Sequence, residues 1–176
     1  MLLAKAIIGT PIGDMLALDS GEGLCALEFV EPQKRMSGLE SRLGRWFPPH
    51  EIADRETPTI GQARAWLDTY FAGRSADISG LRLDMRGADF ERRVWAALRL
   101  IPPGETTSYG AIAKALGSAG ASRAVGAANG ANPIAIVVPC HRVIGADGSL
   151  TGFGGGLPWK RRLLQREQPQ GMLLDT

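Results

Sequence analysis

The chain opens on apolar segments separated by turn residues. Leu2–Ile8 and Met15–Leu18 flank Thr10-Pro11-Ile12-Gly13-Asp14, and Leu24–Val30 follows Ser20-Gly21-Glu22-Gly23. Short apolar runs bounded by such punctuation predict strands. Residues 31–58 are polar and Pro-containing, with a short helix predicted over Gly38–Trp46. Between Gln62 and Phe71 the apolar positions Ala63, Trp66, Leu67, Tyr70 and Phe71 follow i, i+3, i+4 spacing, which predicts an amphipathic helix ending near Gly73. Ala76–Met85 reads as extended. Gly87 marks a boundary, giving an N-terminal α/β scaffold over 1–87 and a second domain over 88–176.

The second half has a helical texture. Phe90, Val94, Trp95 and Leu98, with Ile101 beyond them, share one face, and Glu91, Arg92, Arg93 and Arg99 the other, until Pro102-Pro103-Gly104 stops the helix. Thr106-Thr107-Ser108 can cap a second helix carrying Tyr109, Ile112, Ala113 and Leu116. After the turn Gly117-Ser118-Ala119-Gly120, Ser122 is expected to cap a third helix, Arg123–Gly130. Two short helices around a Gly-bearing turn read as helix-turn-helix, a pattern that many hairpins of helices share without binding anything. The third helix holds Ala124, Gly126, Ala127, Ala128 and Gly130 and little bulk. Such a stripe serves close helix packing, or else a smooth face entering a narrow groove with Arg123 as its long cation.

Next comes Ile136-Val137-Val138-Pro139-Cys140-His141-Arg142-Val143-Ile144, read as a buried, strand-like segment. A thiol in that setting is an inert core residue or a guarded nucleophile. Gly145–Ser149 forms a hairpin-like turn, and Thr151-Gly152-Phe153-Gly154-Gly155-Gly156 a loop suited to close approach of a planar ligand. It lacks the order of a phosphate loop. Pro158 opens a final basic helix bearing Lys160, Arg161, Arg162 and Arg166, with Leu163 and Leu164 facing inward and Glu167 closing it. An acid at a helix C-terminus is disfavoured by the dipole and is ordinarily a solvated charge.

Composition adds limits. Hydrophobic content of 44% and charged content of 22% are those of a globular protein, and a net charge of +2 permits nucleic-acid binding without arguing for it. Cys25 and Cys140 lie far apart and only two His are present, too few donors at recognisable spacing for a structural zinc site. Cys25 reads as a small core residue. No apolar run approaches the roughly 20 residues needed to span a bilayer.

Taken together, Gly104-Glu105-Thr106-Thr107-Ser108-Tyr109-Gly110, Arg123-Ala124-Val125-Gly126, Asn132-Pro133, Pro139-Cys140-His141-Arg142-Val143 and Gly152-Phe153-Gly154-Gly155-Gly156, followed by Leu163-Leu164 and Glu167, resemble the O6-alkylguanine-DNA alkyltransferases. Order and spacing agree over about residues 88–168. The resemblance implies an α+β protein, with an N-terminal ribonuclease-H-like β-sheet domain and a C-terminal helical domain for DNA binding and alkyl transfer. It implies a monomer that needs no cofactor or metal and acts in the cytoplasm on double-stranded DNA containing O6-alkylguanine, and on O4-alkylthymine.

By that resemblance Cys140 takes the alkyl group irreversibly, His141 accepts its proton through a water, and Glu167 orients the imidazole. Asn132 ties the recognition-helix exit to the Cys segment, and Tyr109 donates toward the base. Val143, Phe153 and Gly154 edge the base pocket, together with the Cys140 carbonyl. Arg123, Tyr109, Ser122, Gly126 and Ser118 meet DNA, with Arg123 filling the space of the extruded nucleotide. Family members commonly carry Tyr where this chain has Phe153, so any hydrogen bond from that hydroxyl is lost. Three rivals remain on the residues themselves: a DNA-binding module without transfer, a Cys hydrolase, and a purely structural protein, which would make the five aligned blocks a coincidence.

Overall fold

A computed structural model describes residues 1–31, 33–74, 77–150 and 157–168. The chain divides into two compact units, Met1–Arg86 and Gly87–Thr176.

In the first unit, strands β1 (Leu2–Thr10), β2 (Gly13–Asp19) and β3 (Leu24–Phe29) form an antiparallel meander. Strand β4 (Glu51–Asp54) adds to the far side of β1 in parallel, giving the order β3-β2-β1-β4. All six residues of β3 are buried, so both faces of that strand are covered. Helix α1 (Gln33–Trp46) packs on β3, and α2 (Pro58–Phe71) lies across β1, β2 and β3. Leu3, Leu18, Cys25, Ala26, Leu39, Leu43 and Phe47 form one core cluster.

Three sequence expectations need correcting here. Helix α1 starts at Gln33 rather than Gly38, because its first turn is drawn in by the buried pair Arg35–Glu28, Nη2 to Oε2 at 2.5 Å. Helix α2 starts at Pro58 rather than Gln62. Thr57 caps it, accepting from Ile60 N–H at 3.2 Å, and Pro58 is tolerated in the first turn because the missing N–H has no helical partner there. Strand β4 was unforeseen: Glu51-Ile52-Ala53-Asp54 has no apolar run, and backbone pairing with β1 makes the strand. Of the extended segment expected over Ala76–Met85, Ala76 lies outside the described residues. The rest forms only an isolated bridge between Leu83 and Leu24. Gly23 suits that approach, since a Cβ would stand 2.8 Å from the Arg82 carbonyl oxygen.

The second unit holds α3 (Asp89–Leu98), α4 (Tyr109–Ala115), α5 (Ser122–Gly130) and α6 (Leu157–Glu167). Val94, Trp95 and Leu98 are the buried stripe of α3, as their spacing predicts. Glu91 accepts from Ala88 N–H at 2.9 Å; Ala88 has no side-chain acceptor, so only that half of a capping box exists. Ser108 caps α4, accepting from Ala111 N–H at 3.1 Å. Ser122 does not cap α5: the cap position is Ala121, whose carbonyl takes the first helical bond from Val125, and Ser122 is the first residue inside. Two-residue strands β5 (Thr107–Ser108) and β6 (Val143–Ile144) pair in parallel. This brings the start of α4 beside the segment that follows Cys140.

Candidate active site

The Cys140 segment is not a strand. Residues Asn132 to Val143 are all buried, and they fold as consecutive tight turns. Val138 N–H donates to Ile134 at 3.0 Å and Val137 N–H to Ala135 at 2.8 Å, which places Ile136 at φ 70°. A β-branched residue at positive φ disfavours the fold by about 1–3 kcal/mol and persists only where its surroundings fix it. Cys140 N–H then bonds Val138 at 2.8 Å, and Cys140–Arg142 make a single 3-10 turn closed by Val143 N–H on the Cys140 carbonyl. Successive side chains diverge by about 120° around such a turn, so Cys140 and His141 point apart, though not as alternation in a strand would direct them.

Buried backbone outside regular structure needs other hydrogen-bond partners. Side-chain amides supply them. Asn132 Nδ2 donates to Val138 O at 2.8 Å, and its Oδ1 accepts from Ile134 N–H at 3.0 Å. Asn129 Nδ2 donates to Cys140 O at 3.3 Å. Both amides come from α5 or its exit.

His141 is fully buried, and its Nε2 lies 2.6 Å from Glu167 Oε1. Arg142 grips the same carboxylate, Nε to Oε2 at 2.9 Å and Nη2 to Oε1 at 2.8 Å, while its Nη1 donates to Ile101 O at 2.6 Å. Burial by itself raises the Glu167 pKa, but the hydrogen bonds from His141 and Arg142 outweigh it and hold the group at about 2. Burial pushes His141 below its ordinary 6.5, against the pull of Glu167, so the imidazole is neutral at rest. The net charge of Glu167 is therefore balanced by Arg142. With the ring proton on Nε2 facing the carboxylate, Nδ1 keeps its lone pair, and that atom is buried without a partner among the described residues. The arrangement is a neutral base oriented by an ionised acid.

Lys160, one of the four cations of the basic helix, is completely buried. Desolvation lowers its pKa to about 8, and its interaction with Cys140 opposes the shift. Its Nζ stands 5.9 Å from the centre of the Tyr109 ring. Lys160, Leu163, Leu164 and Glu167 follow i, i+3, i+4, i+7, so helical periodicity alone places the lysine on the inward stripe. That signal was available and missed. Arg142 and Asn129 were also missed. A cation inside an apolar run, and an amide on a helix stripe with Val125 and Ala128, are the marks that pointed to them.

The expected DNA-facing residues distribute as follows. Arg123 and Ser122 are exposed on α5, with Ala124, Ala127 and Gly130 also outward. Gly126 is half-buried, and a Cβ there would lie 3.8 Å from Tyr109 Cδ1. Ser118 is half-buried, its N–H bonded to Ala113 O at 2.9 Å. Tyr109, half-buried, opens α4, and Val143 is buried in β6. Phe153 and Gly154, with the loop 151–156, lie outside the described residues. Two cavities, of about 290 and 440 Å³, lie in the first unit, one beside α2 and one at the N-terminal end of β1. Among the described residues no group of His, Cys, Asp and Glu could hold a metal, and no helix is long and apolar enough to cross a membrane.

Comparison with known proteins shows the family. Residues 89–169 match the family described as 6-O-methylguanine DNA methyltransferase, DNA binding domain, and residues 3–85 match its ribonuclease-like domain. The methylated-DNA--protein-cysteine methyltransferase of Mycolicibacterium paratuberculosis is 62% identical over 152 residues, covering 86% of this chain and 90% of the relative. That of Mycobacterium leprae is 46% identical over 161 residues, covering 92% and 90%. The crystal structure of Mycobacterium tuberculosis OGT in complex with DNA superposes with a TM-score of 0.77 at 43% identity, covering 96% of this chain and 93% of that one. By sequence and by fold, in both units, this chain belongs to the 6-O-methylguanine DNA methyltransferase family.

Proposed function

We propose that this protein repairs alkylated DNA by direct reversal, moving the alkyl group from O6-alkylguanine, and from O4-alkylthymine, in duplex DNA onto its own Cys140. The observation that carries the reading is the His141–Glu167 pair with its unpartnered Nδ1, set beside a buried cysteine in a member of this family. A free thiol is only a few per cent ionised near neutral pH, so the reaction needs a base. His141 Nδ1 takes the Cys140 proton through a water, and Glu167 with Arg142 stabilises the imidazolium. Lys160, still mostly protonated at neutral pH, favours the thiolate by charge.

Sγ then attacks the alkyl carbon in line. The S–C bond forms as the C–O6 bond breaks, and the electron pair leaves with the base. Tyr109, near Lys160, donates toward that base and offsets the charge developing on it. The product is a thioether, which offers the base no good leaving group, so each molecule acts once.

The target atom lies inside a duplex, and extruding the nucleotide costs a few kcal/mol. The outward face of α5, made of Ala124, Ala127 and Gly130 with Arg123, suits close approach to the minor groove, and Arg123 fills the space left behind. Val143, with Phe153 and Gly154, edges the base pocket. Ser122, Gly126 and Ser118 line the DNA-facing turn and helix. The protein works as a monomer in the cytoplasm, on DNA.

Intact-mass measurement after incubation with a duplex containing O6-methylguanine tests the reading. One methyl per molecule at Cys140, without turnover, is expected. Multiple turnovers, or a mass gain confined to Cys25, would sink it.

A further inference from the structure

Asn129 sits on the buried stripe of α5 with Val125 and Ala128, at positions where helical spacing favours apolar residues. It is 2% exposed. Its Nδ2 donates to the Cys140 carbonyl at 3.3 Å, and the same oxygen accepts from Val143 N–H. That carbonyl is thereby held from two sides. Among the described residues the amide's own Oδ1 has no partner. A buried, unmatched amide oxygen disfavours folding, and leucine, of similar volume, carries no such penalty. With Val143 N–H already on that carbonyl, folding does not require the second bond, and what the amide adds is its hold on Cys140. Asn132 differs, because its amide serves the turn at Ile134 and Val138. Asn129 reaches the backbone of Cys140 itself, from the helix that presents Arg123.

We infer that Asn129 is a positioning residue for the nucleophile: its amide ties the Cys140 carbonyl to α5, so that seating this helix on DNA fixes the direction of the Cys140 Sγ. The inference rests on the function proposed above, with α5 facing DNA and Cys140 accepting the alkyl group. A carbonyl held from two sides cannot rock about the neighbouring peptide bonds, and in-line attack depends steeply on the angle of approach.

The test is Asn129→Leu, with Asn129→Ala standing in if leucine does not fold. Single-turnover transfer from a saturating O6-methylguanine duplex is expected to slow by roughly ten-fold or more, which separates a lost attack geometry from lost binding. Affinity for unmodified duplex should stay within about two-fold, and the leucine variant's unfolding midpoint should be unchanged or raised. A second arm follows the reaction of Cys140 with a small aromatic disulfide in the absence of DNA, located by peptide mass, and expects a changed rate. Saturating transfer within about two-fold of wild type overturns the inference, as does a loss shared equally with DNA binding. If wild type transfers nothing, the proposed function fails by itself, and the disulfide arm still decides Asn129: equal rates in variant and wild type overturn it.

Discussion

Arg142 and His141, neighbours in sequence, close on the same carboxylate of Glu167, at 2.8 Å and 2.6 Å from its Oε1. One acid thus anchors a permanent cation and orients a neutral base. Because the two partners leave the 3-10 turn in different directions, the end of α6 is fixed from two sides, and through Ile101 O the segment that follows α3 as well. Gly104, at φ 86°, permits this convergence: a Cβ there would lie 3.2 Å from the Glu167 carbonyl oxygen.

Replacing Glu167 by Gln is expected to destabilise the protein by about 3 kcal/mol at neutral pH, because the Glu167 pKa falls from 4.5 to about 2 on folding and Arg142 would be left buried without its counter-charge. A depressed carboxylate stabilises above its unfolded pKa, and this contribution is lost as pH drops from 4.5 toward 2. The gap between wild type and variant in urea unfolding should therefore narrow over that window. A gap independent of pH would contradict the assignment.

The acid limb of the transfer rate should lie below pH 6.5, since burial holds His141 beneath that ordinary value and keeps it a base as the medium is acidified. Single-turnover rates measured across pH check this. A midpoint above 6.5 would mean that Glu167 dominates and the resting ring is charged.

Lys160→Met removes a buried ammonium. The Lys160 pKa is depressed from 10.5 to about 8, so the unfolded chain binds more protons between those values, and wild-type stability should rise with pH across that range by up to about 3 kcal/mol. The variant should lack this rise, match or exceed wild type in stability at pH 7, and transfer more slowly. Equal transfer rates would remove Lys160 from the chemistry.

Arg123→Ala should leave binding to unmodified duplex nearly intact while slowing repair by about 100-fold, because in the proposed function the exposed arginine acts only after the nucleotide leaves the stack. Titration of plain duplex beside single-turnover repair distinguishes the cases. Parallel losses would make Arg123 an ordinary phosphate contact.

Ser108→Ala deletes the α4 cap and should cost about 1 kcal/mol in thermal or urea unfolding. Since Tyr109 is the next residue, transfer should also slow, with no change in its acid limb. Unaltered stability would show that β5 pairing, and not the cap, starts this helix.

The sequence alone determined what depends on short-range pattern and on a shared set of motifs. Turn residues separated the strands of the first unit, and 3.6-residue spacing located α3 and the inward leucines of α6. The motif blocks around Tyr109, Arg123 and Cys140 named the family. The same local logic failed at β4, whose four residues have no apolar pattern and exist as a strand because β1 offers its backbone. It failed again at Cys140, where an apolar run looks like a strand until Asn132 supplies the hydrogen bonds that let it coil instead. Tertiary structure alone decided which charges are buried. By local pattern Glu167 is an acid closing a basic helix, Lys160 one cation of that helix and Arg142 a cation within an apolar run; only folding brings Glu167 and Arg142 into one ion pair and closes water off from Lys160. Ionisation depends on what surrounds a group in space, and neighbours brought from 25 residues away leave no trace in local periodicity.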